Sequence, residues 1–271
     1  LNGVLGKICS KRHSPFNHSA FNHSTIRQLD SIALHHPTKK INAAIRLASS
    51  KSESNRALII NALGGNRVHL DNLSEARDTR TLQRLLGTAE QTWDVIDAGT
   101  TMRFLTAYAA VTNADKILTG TPRMCERPIG LLVDALRTLG ADISYLNNEG
   151  YPPLHVRGLR PNGTNRVAIR GDVSSQYISA LLMIAPLLPG GLTIELTGAV
   201  GSRPYIEMTL RQMEAFGVRH TWAENTITVS PQNYQPTDYQ IESDWSGASY
   251  WYSIAALADE ADIELLGLKQ N

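Results

Sequence analysis

The sequence predicts an α/β (α+β) protein made by repetition, with buried helices and sheets that show one face to solvent. Three observations carry this expectation. After residue 48 an order of helix, strand, helix and then one or two strands recurs three times. The first helix of each repeat is apolar almost all round ("ALIINAL", "FLTAYAAV", "ISALLMIAPLL"), and such helices have to be buried on most sides. The strands between them carry polar residues, as strands with a solvated face do. A pseudo-threefold arrangement follows.

The first repeat has a predicted helix from about Ser54 to Leu63, a strand at "RVHLDNL" and a helix at "DTRTLQRLLG". The second opens with the helix "TTMRFLTAYAAV" and continues with the strand "KILTG" and the helix "PIGLLVDALRTLG". It closes with the strands "ADISYL" and "LHVRG". The third runs through "RVAIRG", the helix "SQYISALLMIAPLL", the strand "LTIELTG", the helix "RPYIEMTLRQMEAFG" and the strands "VRHTWA" and "TITVS". Pro128 and Pro204 suit a first helical turn, and Gly140 and Gly217 suit the residue just past a helix end. The second helices are amphipathic, with Ile206, Leu210 and Met213 on one stripe.

A chain of 271 residues with 42% hydrophobic content can bury the core of one large domain or two ordinary ones. Its net charge of +1 gives no footprint for nucleic acid or a membrane surface. The two cysteines, Cys9 and Cys125, form no C-x-x-C pair, so neither a disulfide framework nor a metal site is expected. No apolar run approaches the roughly 20 residues that span a bilayer; "ISALLMIAPLLPGG" is short and broken by Pro186. A cytoplasmic protein is expected.

The chain starts at Leu1 and stops at "ELLGLKQN", just after a strand-like run, and it reads as a piece of a longer product. Residues 1–25 are expected to be a disordered leader. They hold no acidic residue and repeat themselves as "FNHSA" and "FNHST", which leaves a transit peptide as the alternative. His13, His18 and His23 lack the carboxylates or thiolates of a metal site and read as composition.

Polar and cationic residues gather at the helix starts: "SSKSESNR", "DAGTTMR", "PRMCERP", "GDVSSQY", "GSRPY" and "DWSGASY". A helix start exposes unpaired N–H groups and a partial positive charge, so it favours anions. Each motif alone is an ordinary cap or turn. Several aimed at one cleft, with Lys and Arg beside them, form an anion trap.

In order, "SKSESNRAL", "DAGTTMRFL", "PRMCERPIGLLVDALRTLGA", "GDVSSQYISALLMIAPL" and "SRPYIEMTL" resemble the successive motifs of the 5-enolpyruvylshikimate-3-phosphate synthase family. The resemblance runs from about Ser50 to the end, where "ESDWSGASYW" is similar to the family's re-entry into its other domain. It implies an enolpyruvyl transferase-like fold of two similar domains, each of three βαβαββ units. One domain, residues 49–240, is expected to be complete, while 26–48 and 241–271 belong to an incomplete second one. The implied reaction moves the enolpyruvyl group of phosphoenolpyruvate to the 5-hydroxyl of shikimate 3-phosphate and releases phosphate. This is a shikimate-pathway step toward chorismate and the aromatic amino acids. No metal or organic cofactor is implied, nor any nucleic-acid or membrane partner, and the full-length protein is expected to be a monomer.

The resemblance also implies roles for individual residues. Lys51, Ser52, Arg56, Ser174, Ser175, Gln176, Ser202 and Tyr205 hold shikimate 3-phosphate, with Arg56 on its ring carboxylate and Ser174 and Ser175 on its phosphate. Gly99, Thr100 and Arg123, with Lys51 and Gln176, hold phosphoenolpyruvate. The catalytic residues of the family are expected outside this chain.

Three departures stand out. Ser50 replaces a usual glycine, Asp97 replaces a usual asparagine and adds negative charge near an anion site, and the first repeat lacks a closing hairpin. Two rival readings remain. One is a catalytically incompetent binder of shikimate 3-phosphate. The other is an enzyme similar to the enolpyruvyl transferase of UDP-N-acetylglucosamine, against which "SKSESNR" and "VSSQY" weigh. The lack of basic surplus weighs against a nucleic-acid-modifying relative.

Overall fold

β1 (Lys40–Arg46) is the first regular element among residues 36–269, which the computed structural model describes. The expected leader, with its three histidines, lies outside them. α1 (Lys51–Leu63) follows, capped by Ser50, whose side chain accepts from the Glu53 N–H. This cap starts the helix three residues before the predicted Ser54. The short β2 (Leu70–Asp71) and α2 (Arg77–Leu86) complete the first repeat.

The second repeat comprises β3 (Thr92–Asp94), α3 (Gly99–Val111), β4 (Lys116–Thr119), the one-turn α4 (Pro122–Cys125), α5 (Gly130–Thr138), β5 (Ala141–Tyr145) and β6 (Leu154–Leu159). Pro128 does not open α5, which begins at Gly130; its carbonyl instead accepts from Arg103 and the Tyr177 hydroxyl. The third repeat comprises β7 (Arg166–Arg170), α6 (Ser175–Ile184), β8 (Leu192–Thr197), α7 (Arg203–Ala215), β9 (Thr221–Ala223) and β10 (Thr226–Val229). Pro204 sits in the first turn of α7. Gly140 and Gly217 follow α5 and α7 with φ of +100° and +81°, a conformation that favours glycine. β11 (Tyr239–Gln240), α8 (Trp245–Leu257) and β12 (Glu260–Leu266) end the series.

Two compact units emerge. Residues 36–47 and Trp245–Leu268 form one, in which β1 pairs in parallel with β12 from Lys40–Glu260 to Arg46–Leu266. The other spans Ala48–Asp244 and takes in Lys269.

The larger unit repeats one sheet pattern. Its sheets run β3-β4-β6-β5 and β7-β8-β10-β9, and in each the first two strands are parallel and the remaining pairs antiparallel. In the first repeat β2 pairs only with β11, also in parallel, so the initial strand of that repeat arrives from the far end of the unit. No hairpin closes this sheet among the described residues, which is why the predicted seven-residue strand shrinks to Leu70–Asp71.

Burial follows the sequence pattern. Nine of the ten residues of α6 are buried, so no stripe separates its faces. α7 buries Ile206, Leu210 and Met213 toward the core, each worth about 1.5–3 kcal/mol when fully removed from water. β7 alternates buried and exposed residues from Arg166 to Arg170, as a sheet with one wet face requires. Glu53, buried in the first turn of α1, accepts from the Tyr239 hydroxyl at 2.6 Å and the Glu242 N–H at 2.8 Å. It ties that turn to the strand from the far end.

Candidate functional site: a cavity at four helix starts

Four helices of the larger unit begin around one cavity of about 300 Å³. α1 supplies Lys51, Ser52 and Arg56; α3 supplies Thr100; the start of α6 supplies Ser174, Ser175 and Gln176; the start of α7 supplies Ser202 and Tyr205. Every lining residue is one that the sequence picks out, and none is a carboxylate. A second cavity of about 280 Å³, bounded by residues of α1, β2 and α2 such as Leu58, Leu73 and Leu86, contains no lysine or arginine. Its chemistry does not suit an anion.

Arg56 is the most constrained group. It is 2% exposed, and its guanidinium donates to Thr209 Oγ1 at 2.7 Å, the Ser52 carbonyl at 2.8 Å and Ser179 Oγ at 3.0 Å. The rings of Phe104 and Tyr205 lie 5.4 and 5.9 Å from it. Among the described residues no carboxylate pairs with it. Burial lowers its pKa from the ordinary arginine range to about 10 because the charged form is stripped of water. A buried cation held by neutral partners at a cavity wall is poised for an incoming anion.

The hydroxyls divide by task. Ser174 caps α6, accepting from the Gln176 N–H at 3.3 Å, while Ser175 is buried in the first turn. Ser202 precedes α7 with φ of +52°, a left-handed conformation that costs a non-glycine residue about 1–3 kcal/mol. Its side chain makes no cap bond. Lys51 is half exposed and ion-paired with Asp78 at 3.3 Å. Asp78 also bonds α3 through its carbonyl, which accepts from Thr101 Oγ1.

Two predicted residues fall outside the lining. Gly99 is buried at the start of α3, and the Arg127 guanidinium covers it so closely that any Cβ there would overlap. Arg123 is exposed on α4. The segment carrying both arginines is bonded to the approach to α3, since the Thr121 N–H donates to the Ile96 carbonyl at 2.8 Å.

Sequence reasoning missed Ser179, Thr209, Asp78 and Arg103. Ser179 is a hydroxyl inside an otherwise apolar helical run, and that interruption was the available signal, whereas Thr209 lies in the amphipathic "YIEMTLRQM", where nothing marks it. Arg103, 4% exposed, donates to the carbonyls of Gly99 and Pro128 and braces α3. Its pKa is lowered mainly by burial. Nothing in "DAGTTMRFL" marks it as a brace.

The repeated sheets and the cavity of serines and cations at four helix starts define an α/β unit with an anion-receptive site. A family model described as EPSP synthase (3-phosphoshikimate 1-carboxyvinyltransferase) matches residues 35–95 and 83–271. The chain belongs to the EPSP synthase family. A 3-phosphoshikimate 1-carboxyvinyltransferase of Bacteroides fragilis (strain YCH46) is 51% identical over 230 residues, covering 84% of this chain and 56% of the relative. One from Pectobacterium atrosepticum is 41% identical over 257 residues, covering 84% and 59%. The solved EPSP synthase of Acinetobacter baumannii superposes with a TM-score of 0.74 at 21% identity, over 84% of this chain and 57% of that one, a likeness in fold. The chain thus spans a little over half the length of these relatives.

Proposed function

We propose that the larger unit holds shikimate 3-phosphate and one side of phosphoenolpyruvate for enolpyruvyl transfer. The observation that carries this reading is Arg56, a buried cation without a carboxylate partner among the described residues, in a cavity shared with Ser174 and Ser175. Its planar fork suits the ring carboxylate, and the start of α6 suits the phosphate. Lys51 exchanges Asp78 for ligand, Gln176 reaches between the two substrates, and Ser52, Ser202 and Tyr205 complete the shikimate side. Thr100, with Gly99 beneath it, faces phosphoenolpyruvate, and Arg123 pairs with that substrate's anionic groups.

In the reaction the 5-hydroxyl gives up its proton to a base and its oxygen bonds to C2 of phosphoenolpyruvate, whose methylene carbon takes a proton to become a methyl group. The tetrahedral adduct then loses one methyl proton and phosphate, which restores the enol ether. The cavity lining holds no carboxylate, and the family's catalytic residues are expected outside this chain, so this unit is assigned binding and orientation. The smaller unit is proposed as part of the family's second domain. The protein is proposed to act in the cytoplasm as a monomer; no described helix is long and apolar enough to cross a membrane. The test is phosphate release by the full-length protein given both substrates. Release that needs both supports the reading, and none with either order of addition refutes it.

A further inference from the structure

Asp97 poses an electrostatic problem. It stands two residues before Gly99, where a carboxylate opposes any anion at the start of α3. The preceding residue, Ile96, has φ of +60°, which a β-branched side chain adopts only under constraint. The backbone is thus held against its preference at this point.

Two cations answer the charge. The Asp97 carboxylate pairs with the Arg77 guanidinium, from the first residue of α2. The Asp97 carbonyl accepts from Arg127 Nη1 at 3.4 Å, and the same guanidinium covers Gly99. With both arginines the cluster carries net positive charge; without Arg77 it is neutral. The next residue of α2, Asp78, pairs with Lys51 of the cavity. One helix start therefore balances a cavity lysine with an acid and a neighbouring acid with an arginine.

We propose that Arg77 is a positioning residue for phosphoenolpyruvate, neutralising Asp97 and holding the approach to α3 so that Gly99 and Thr100 present an anion-receptive helix start. The inference rests on the proposed function and deepens it at the phosphoenolpyruvate end. The pair is exposed, 65% for Arg77 and 43% for Asp97, so its influence is screened and moderate.

The test is steady-state kinetics on the full-length protein with Arg77→Ala, alone and combined with Asp97→Asn. Arg77→Ala is expected to raise KM for phosphoenolpyruvate roughly threefold to tenfold at low salt. KM for shikimate 3-phosphate should stay within about twofold, because that substrate sits at α1, α6 and α7. Adding Asp97→Asn should restore phosphoenolpyruvate KM to within about twofold, and the single-variant penalty should shrink at about 0.5 M KCl. A merely structural bridge would move both constants together or lower stability without a salt-sensitive split. An unchanged phosphoenolpyruvate KM, or a double variant as impaired as the single, overturns the inference while leaving the function standing. Absence of phosphoenolpyruvate-dependent turnover in the unsubstituted protein removes both.

Discussion

Arg56, on α1, donates to Thr209 Oγ1, on α7, at 2.7 Å, joining the first helix of one repeat to the second helix of another beneath the cavity. Ser179, on α6, bonds both, at 3.0 Å to the guanidinium and 2.8 Å to the threonine. The buried cation is therefore fixed by three helices, and its direction is set before any ligand arrives.

Arg56→Lys keeps the charge but loses the planar fork, so shikimate 3-phosphate affinity should fall at least tenfold, about 1.5–3 kcal/mol for lost charge-assisted bonds. Calorimetric titration of the full-length protein measures this. Equal affinity contradicts the placement of the ring carboxylate.

The pH dependence follows from the same residue. Burial brings the Arg56 pKa to about 10, and a bound carboxylate restores preference for the charged form. Affinity should therefore fall above pH 10, by up to about tenfold per unit, as binding comes to require proton uptake. The ligand-free fold has the opposite sign: its cost of burying the cation is full below about 10 and fades as pH rises toward the ordinary arginine range. The same titration with Arg56→Gln should lack this component of the fall, and an identical profile would remove Arg56 from the site.

Ser175→Ala should weaken shikimate 3-phosphate binding about threefold to tenfold with the unfolding midpoint unchanged, as for one lost hydrogen bond. Ser174→Ala should weaken binding and also cost about 1 kcal/mol of stability, since Ser174 caps α6. Calorimetry and urea unfolding separate the two effects; unaltered affinity in both variants counts against the phosphate assignment.

Arg123 is exposed, so Arg123→Ala should leave stability within about 0.5 kcal/mol. Its expected effect is a raised KM for phosphoenolpyruvate with little change for shikimate 3-phosphate. A normal phosphoenolpyruvate KM would show that α4 does not reach the substrate.

The site was more legible than the sheets. Lys51, Ser52, Arg56, Thr100, Ser174 and Tyr205 were named through the resemblance of their motifs to the family; by pattern alone each was an ordinary cap or turn residue, and their gathering at one cavity is visible only in the fold. β3 and α4 were not predicted, since three- and four-residue elements hold too few residues to show a period. The pairing of β11 with β2 was hidden for another reason: a parallel partner about 170 residues away leaves no local trace. Glu53, read from sequence as part of a polar helix start, is buried because Tyr239 and the Glu242 N–H come to it from that distant segment.

The cavity at the starts of α1, α6 and α7 is proposed to capture shikimate 3-phosphate. A crystal structure of the full-length protein soaked with that compound tests it most directly. The phosphate is predicted at Ser174 and Ser175 and the ring carboxylate within hydrogen-bond reach of Arg56. A ligand seated elsewhere, or an empty cavity at saturating concentration, would contradict the account.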